Sequence, residues 1–157
     1  MIFPTVQGSN LLRQKLTLPQ DFQGRLNLVF IPFYQWQQME VNSWIPLAQK
    51  LEKTTAGLFY YELPTIENRN IFSQIFINEG MRAGIPNQTS RERTITLYLD
   101  KAPFRHSLEM LDEEHIYVVV VDRQGKVFFV ERGAYTSQLC ERLSQTIRQL
   151  LDAPDTV

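Results

Sequence analysis

The chain has 157 residues, of which 43% are hydrophobic and 21% are charged, a composition typical of a globular domain and unlike that of disordered or fibrous chains. Sixteen basic residues against seventeen acidic ones leave a net charge of -1, so the overall charge favours neither nucleic acid nor anionic lipid as a partner. The longest apolar runs, such as Ile116 to Val121, are far shorter than the ~20 residues of a membrane-spanning helix. We expect a single domain over residues 1–157, with its core at about 11–151.

The start of the chain and its cysteine content exclude several classes of protein. Residues 1–8 have neither the layout of a secretion signal nor that of an organellar presequence, which predicts a cytoplasmic location. Cys140 is the only cysteine, so an intramolecular disulfide, a CxxC redox pair and a multi-thiolate metal site are excluded. Glycine-rich phosphate loops, nucleophile elbows and dinucleotide motifs are also missing from the sequence. We therefore expect no cofactor, no metal and no catalytic constellation.

The first elements are β-strands. Leu16–Leu18 forms a short apolar-polar-apolar strand that Pro19 closes. The run from Leu28 to Phe33 is nearly all apolar and favours β structure, which predicts a central strand buried on both faces. Pro32 should lie near the end of that strand, because proline cannot donate to an interior ladder.

A helical period of apolar residues follows, from Tyr34 to Lys53. Pro46 should kink this helix by removing one backbone donor, and Gly57 should end it. The apolar run from Leu58 to Leu63, which precedes Pro64, predicts the next strand.

The middle of the chain alternates in the same way. Apolar residues from Ile71 to Phe76 predict a second helix, which passes into a polar loop at Pro86–Arg93. The strict alternation from Thr94 to Leu99 predicts a half-buried strand. Asp100 to Met110 allows a short helix after Pro103.

The last third predicts a hairpin and a helix. His115–Val121 is a second apolar strand, and the turn Asp122–Gly125 joins it to a returning strand at Lys126–Glu131. An amphipathic helix follows, with Thr136 or Ser137 as its cap. Strands that alternate with helices, ending in a hairpin, predict an α/β fold whose mixed sheet is covered on both faces.

This order of elements resembles the thioredoxin fold in its peroxiredoxin-like extended form, over about Leu11 to Leu151. Three local features agree with it: Leu18–Gly24 before the buried strand, Pro46 in the first helix, and Val121–Val127 in the hairpin. The resemblance implies a thioredoxin-like three-layer α/β/α sandwich with a mixed central sheet.

Within that superfamily the chain is similar to the ATP synthase assembly-factor family, the mitochondrial Atp-ten group, whose members share a redox-silent thioredoxin-like domain. The matching stretches are Val41–Pro46, Arg93–Asp100 with Phe104 and Arg105, and Tyr117–Asp122 through Gly133. The resemblance implies a chaperone-like role in assembling the membrane-embedded sector of the ATP synthase, with a protein partner such as a subunit of that membrane complex. Val127–Val130 departs from the family's pattern, where a basic residue and a tryptophan are expected, and a bacterial or plastid-lineage relative fits the missing presequence better.

The redox centre of thioredoxin-type enzymes lies where the buried strand meets the first helix, because a helix N-terminus lowers the pKa of a thiol. Alignment on Pro46 places that position at Gln38–Val41, which contains no cysteine. The second hallmark of the fold, a proline just before the penultimate strand, is missing from Asp112–Ile116. Both losses predict a non-enzymatic binding or assembly module that keeps the scaffold without the redox chemistry.

The residues around that position are candidates for binding a partner. Tyrosine and tryptophan dominate the hot spots of interfaces, and two of them stand at the strand-to-helix corner. Arginines in the loop at 81–93 can hold a carboxylate or phosphate of a partner and steer it electrostatically. The candidate partner-binding residues are Tyr34, Trp36, Gln38, Arg82, Arg91 and Arg93. Trp44 is expected to fill the space between helix and sheet instead.

Three other interpretations stay open. Cys140 would be the nucleophile of a thiol-dependent oxidoreductase or peroxidase, although its place in the apolar face of the last helix favours a structural role. His106 and His115 lie near the acidic run Asp112–Glu114, for which a solvated turn is a better interpretation than a metal site. A structural subunit would oligomerise through a sheet edge near Thr94–Leu99.

Overall fold

The structure, a computed structural model, describes residues 1–68 and 88–151. The described elements are, in chain order, β1 (Val6–Asn10), β2 (Lys15–Leu18), β3 (Leu26–Ile31), a 3₁₀ turn (Gln35–Gln37), α1 (Gln38–Thr54), β4 (Leu58–Glu62), β5 (Thr65–Glu67), α2 (Gln88–Arg93), β6 (Ile95–Leu99), α3 (Lys101–Ser107), β7 (Tyr117–Val121), β8 (Val127–Arg132) and α4 (Ser137–Leu151). These strands form two sheets, one in the order β4-β3-β7-β8 and one in the order β2-β1-β6-β5.

The sheet β4-β3-β7-β8 is the centre of the fold. β3 is parallel to β4 and antiparallel to β7, and β8 returns antiparallel to β7 through the hairpin. Every residue of β3 and β7 is buried, as their unbroken apolar runs predict. Because side chains alternate along a strand, Leu28 and Phe30 belong to one face of this sheet and Val29 and Ile31 to the other.

Helices lie on both faces of the central sheet. α1 and α4 cover the face of Phe30 with Trp44, Leu143 and Ile147. On the opposite face, α3 contributes Phe104 to the second core. The three-layer α/β/α sandwich with a mixed sheet is thereby confirmed. Over the described ranges, no helix reaches the length and apolarity that crossing a membrane requires.

The second sheet pairs the N-terminal strands with the middle of the chain. β6 lies between β1 and β5 and is hydrogen-bonded to both. Gly8 permits the close approach of β1 and β6, because a Cβ there would lie 2.7 Å from Ile95 Cγ2 and 2.9 Å from the Thr96 carbonyl oxygen. The expectation of a free sheet edge at Thr94–Leu99 is therefore wrong, since β6 already has a strand on each side.

The first residues of the chain are tied to the hairpin and to α3. The Phe3 N–H donates to the Gly125 carbonyl over 2.7 Å. The Phe3 ring is buried and meets the rings of Phe22 and Phe104 edge-on, with centroids 6.1 and 5.9 Å away. Gly125 has a φ of +95°, which suits glycine in this turn.

The predicted strands from residue 16 onward are confirmed with shifted ends, whereas other elements differ from prediction. α1 begins at Gln38 instead of Tyr34 and continues through Pro46. The sequence pattern misses β1 and β5, which are short and partly polar. Residues Gln88–Arg93 form helix α2 where a polar loop is predicted. The helix predicted at Ile71–Phe76 lies outside the described residues.

Candidate functional site

The candidate site, which we name the corner, comprises residues Phe33–Met39, where β3 leads into α1, and the loop Leu111–Ile116 before β7. The two segments meet at one end of the central sheet, because β3 and β7 are antiparallel with Ile31 opposite Tyr117. Neither segment contains a cysteine. The chemistry available at the corner is therefore that of polar, charged and aromatic side chains.

Gln37, which is fully buried, fastens the two segments of the corner to each other. Its Oε1 accepts hydrogen bonds from the N–H groups of Phe33 and Tyr34, over 2.7 and 3.3 Å. Its Nε2 donates to the Glu113 carbonyl oxygen over 2.6 Å. Because this side chain satisfies the N–H groups that precede α1, the chain forms a 3₁₀ turn where the sequence pattern predicts the start of the helix.

Glu113 is the centre of a charged cluster behind Tyr34. Its Oε1 accepts hydrogen bonds from Lys101 Nζ over 2.6 Å and from the Tyr34 hydroxyl over 3.0 Å, and its Oε2 lies 3.0 Å from Arg105 Nε. Burial alone raises the pKa of Glu113, but the hydrogen bonds from Lys101 and Tyr34 and the two cationic charges outweigh it and hold this pKa below its usual value. The solvated turn predicted at Asp112–Glu114 is therefore wrong for Glu113, which stays ionised and fixes Tyr34.

Large apolar side chains are exposed on this fixed frame. Tyr34, Trp36 and Met39 are 49%, 55% and 76% exposed. Leu111, in the loop before β7, and Tyr135, whose ring packs against Trp44 of α1, are also exposed. These five residues form what we call the apolar patch. The other large hydrophobic residues exposed in the described part of the chain are residues 1 and 2, at the N-terminus. The corner therefore combines a rigid interior with an apolar surface.

Trp44 is buried in the core between α1 and the central sheet, as predicted. Its Nε1 donates to the Gly133 carbonyl oxygen over 3.0 Å. Its ring lies 5.3 Å from the Tyr135 ring, nearly perpendicular to it. The Tyr135 N–H in turn donates to Ser43 Oγ over 2.9 Å, which holds this side of the patch against α1.

Gln38 is exposed and links α1 to the end of β4. Its Nε2 donates to Asn42 Oδ1 over 3.0 Å and to Glu62 Oε1 over 2.9 Å. The other carboxylate oxygen of Glu62 accepts a hydrogen bond from the Thr94 hydroxyl over 3.3 Å. Gln38 therefore stands at the rim of the corner beside a carboxylate.

Glu40 joins α1 to the loop before β7. Its Oε1 accepts a hydrogen bond from the Ile116 N–H over 3.2 Å, and its Oε2 lies 2.8 Å from His115 Nδ1. His115 is thus engaged by one carboxylate. Over residues 1–68 and 88–151, the histidines, cysteine and acidic residues form no group that could hold a metal ion.

The structure places the side chain of one predicted arginine, Arg93, away from the corner. The Arg93 guanidinium pairs with Glu52, donates to the Tyr60 carbonyl over 3.2 Å and lies 4.7 Å from the centroid of the Tyr60 ring. Glu52 is fourteen residues beyond the first residue of α1, which is about 21 Å along the helix axis. Arg91 is half-buried in α2, and Arg82 lies outside the described residues. Partner binding by these three residues stays a prediction.

Cys140 lies on α4, outside the corner. Its side chain is half-buried, with Sγ 4.0 Å from Ser144 Oγ. A hydrogen bond with Cys140, and the negative charge that its thiolate would carry, raise the pKa of Tyr135. Neither neighbour is a cation of the kind that activates a catalytic thiol.

The sequence indicated some residues of this site and missed others. Tyr34, Trp36 and Gln38 lie at the corner, as their positions predict. The roles of Gln37 and Glu113 depend on contacts across more than seventy residues, which no local pattern indicates. One signal was available in the two cations of α3, Lys101 and Arg105, which follow a strand and complement a nearby acidic run.

A family model described as ATP10 protein matches residues 1–150. The chain belongs to this family. The ATP10 family is one of assembly factors, which agrees with the resemblance in the sequence and supports an assembly-factor role. No individually curated protein matches the chain in sequence.

Solved structures with the same fold are thioredoxin-like. The exposed lipoprotein thioredoxin of Streptococcus pneumoniae is 11% identical, with a TM-score of 0.58, over 93% of this chain and 99% of that one. A thiol:disulfide interchange protein from Bacteroides sp. is 17% identical, with a TM-score of 0.57, over 99% and 91% of the two chains. BsSco, a member of the Sco family of cytochrome c oxidase assembly proteins, is 12% identical, with a TM-score of 0.60, over 93% of each chain. At these identities the similarity establishes the thioredoxin-like fold.

Proposed function

We propose that this chain is a non-catalytic binding module that assists assembly of the ATP synthase, as an assembly-factor-like chaperone. The observation that carries the proposal is the corner, where the segment between β3 and α1 contains no cysteine and exposes Tyr34 and Trp36. Gln37 and Glu113 hold the backbone and the Tyr34 hydroxyl in place. Aromatic side chains on a rigid frame are common anchors of interfaces, because they bury a large area at a small cost in entropy.

The proposed partner is a protein segment, such as part of a membrane subunit of the complex. The match to the ATP10 family supports this class of partner. The module would bind the segment before it is incorporated, and release it unchanged. The cytoplasmic location that the start of the chain predicts stays a prediction.

The test is deletion of the gene in its source organism. Loss of the protein should lower the amount of assembled membrane sector, measured by native gel electrophoresis of the ATP synthase, without lowering the synthesis of its subunits. A deletion strain that assembles the complex at the normal level would refute the proposal.

Complementation of the deletion strain tests the corner itself. The double variant Tyr34→Ala/Trp36→Ala should fail to restore assembly, whereas Ile2→Ala, which shortens an exposed apolar side chain at the N-terminus, should restore it. The single variant Tyr34→Phe removes the hydrogen bond to Glu113 and keeps the aromatic ring. It therefore distinguishes the contact of the ring with a partner from the fixing of that ring by Glu113. All three proteins should be compared by thermal unfolding, so that loss of fold is recognised.

A thiol-dependent activity of Cys140 is the second candidate function, favoured by its partial exposure. In that case the thiolate would attack a disulfide, breaking its S–S bond and expelling a thiolate, or attack a peroxide, breaking its O–O bond to give a sulfenic acid and an alcohol or water. Cys140→Ser would then fail in the same complementation assay. Full rescue by Cys140→Ser would exclude this function and leave the binding module.

A further inference from the structure

We infer that the corner binds an amphipathic helix whose apolar face is flanked by lysine or arginine, and not an extended strand. This inference rests on the binding function proposed above and names the kind of partner. Its support comes from the backbone of the corner, its charges and its exposed side chains.

The backbone of the corner has little capacity to add a strand. Strand addition needs a row of free N–H and C=O groups. The Glu113 carbonyl already accepts a hydrogen bond from Gln37, and the Ile116 N–H already donates to Glu40. The N–H groups of Phe33–Tyr34, on the facing segment, donate to the same Gln37 side chain. A partner must therefore make its contacts with side chains, as a helix lying on a surface does.

The cations of the corner are used by its own acids. Lys101 and Arg105 share the carboxylate of Glu113, and Arg132 Nη1 lies 2.9 Å from Asp112 Oδ2. Because each of these cations already faces a carboxylate of the same chain, it attracts an acidic partner less strongly.

Among residues 1–68 and 88–151, carboxylates exceed permanent cations around the corner. Within the described part of the chain, the Glu62 carboxylate accepts hydrogen bonds from the amide of Gln38 and the hydroxyl of Thr94, neither of which is charged. Glu114 is exposed in the loop before β7. The carboxylates at the corner are Glu40, Glu62, Asp112, Glu113 and Glu114, and the permanent cations are Lys101, Arg105 and Arg132. The excess of negative charge around the apolar patch complements a basic partner.

The apolar patch has the chemistry of a helix-binding surface. An amphipathic helix presents apolar anchors at every third or fourth residue. Tyr34 and Trp36 offer rigid aromatic surface, and Met39, the most exposed of the three, is flexible enough to adapt to different anchors. The surrounding carboxylates then meet the basic residues that border the apolar face of the helix.

The test uses three synthetic peptides of about 18 residues, or five helical turns. The first is an amphipathic helix with a leucine face bordered by lysines, the second replaces the lysines by glutamates, and the third carries a central proline in the basic sequence. Binding is measured from the change in tryptophan emission, to which the exposed Trp36 should contribute more than the buried Trp44, and is checked by isothermal titration calorimetry. The basic helix should bind at least tenfold more tightly than either of the others, and added salt should reduce its preference over the acidic helix.

Variants of the protein test whether the basic peptide binds at the corner. Glu62→Gln and Glu114→Gln should each weaken binding of the basic helix by about threefold, the range of exposed charge pairs. Glu92→Gln removes an exposed carboxylate on α2 and should leave binding unchanged. Tyr34→Ala should weaken binding of all peptides that use the corner.

The outcomes separate this inference from the proposed function. Failure of the basic helix to bind, equal binding of the acidic helix, or equal binding of the proline peptide would each overturn the inference. The complementation assay decides the function independently, because it does not depend on the sequence of any peptide. A corner that is needed for assembly but prefers acidic or extended peptides would retain the function and refute the partner class.

Discussion

Replacement of Gln37 by leucine should destabilise the protein much more than the same replacement of its neighbour, Gln38. Leucine has a similar size but cannot hydrogen-bond, so the Phe33 N–H and the Glu113 carbonyl would lose their partner inside the fold. Each buried polar group without a partner costs about 1–3 kcal/mol, which gives a loss of about 2–5 kcal/mol after partial relaxation. Gln38 is exposed, and water can replace its hydrogen bonds, so Gln38→Leu should cost less than about 1 kcal/mol.

The two variants should be compared by urea denaturation followed by circular dichroism, and by thermal unfolding. For a chain of this size each kcal/mol lowers the melting temperature by about 2–4 °C, so Gln37→Leu should lower it by at least about 4 °C. Equal stability of the two variants would refute the reasoning, because it would show that the buried amide does not hold the corner together.

Three further predictions concern other parts of the structure. Gly8→Ala should lower the free energy of unfolding by about 1–3 kcal/mol, because the new methyl group would overlap β6, and an unchanged thermal melt would contradict the close pairing of β1 and β6. Glu113→Gln should cost about 2 kcal/mol at pH 7. Because folding lowers the pKa of Glu113, its stabilisation is complete above the usual pKa of about 4.3 and is lost as the pH falls through the lowered value, so the denaturation midpoints of wild type and variant should converge in acid. Cys140 should react with a disulfide reagent more slowly in the native protein than in the unfolded one, and a native rate above that of free cysteine would instead support a thiol-dependent activity.

Strands with strong local signals could be predicted from the sequence. The apolar runs at Leu28–Phe33 and Ile116–Val121 could only be buried, and they are the two middle strands of the central sheet. β1 was not predictable in this way, because Val6–Asn10 is partly polar and contains Gly8. That strand depends on pairing with a segment nearly ninety residues later, where the glycine is an advantage because it allows close approach.

The location of the candidate site could be predicted from the sequence, but the contacts between its side chains could not. The place where a buried strand meets a helix, with aromatic residues and no cysteine, follows from the sequence. The tertiary contacts do not: Arg93 looks like a free surface charge but is held between Glu52 and the Tyr60 ring. Glu113 looks like part of a solvated turn but is engaged by two cations from α3. The partners of long, flexible side chains are determined by which residues the fold brings together. Local sequence patterns therefore do not reveal these contacts.

The tie between Phe3 and Gly125 has a consequence for synthesis of the protein. The backbone and ring of Phe3 are covered only after the chain has reached a turn more than a hundred residues later. During that interval an apolar N-terminus is open to water, and long-range contacts of this kind slow folding and favour association between unfinished chains. Until that turn has formed, the unfinished chain therefore needs protection from premature contacts.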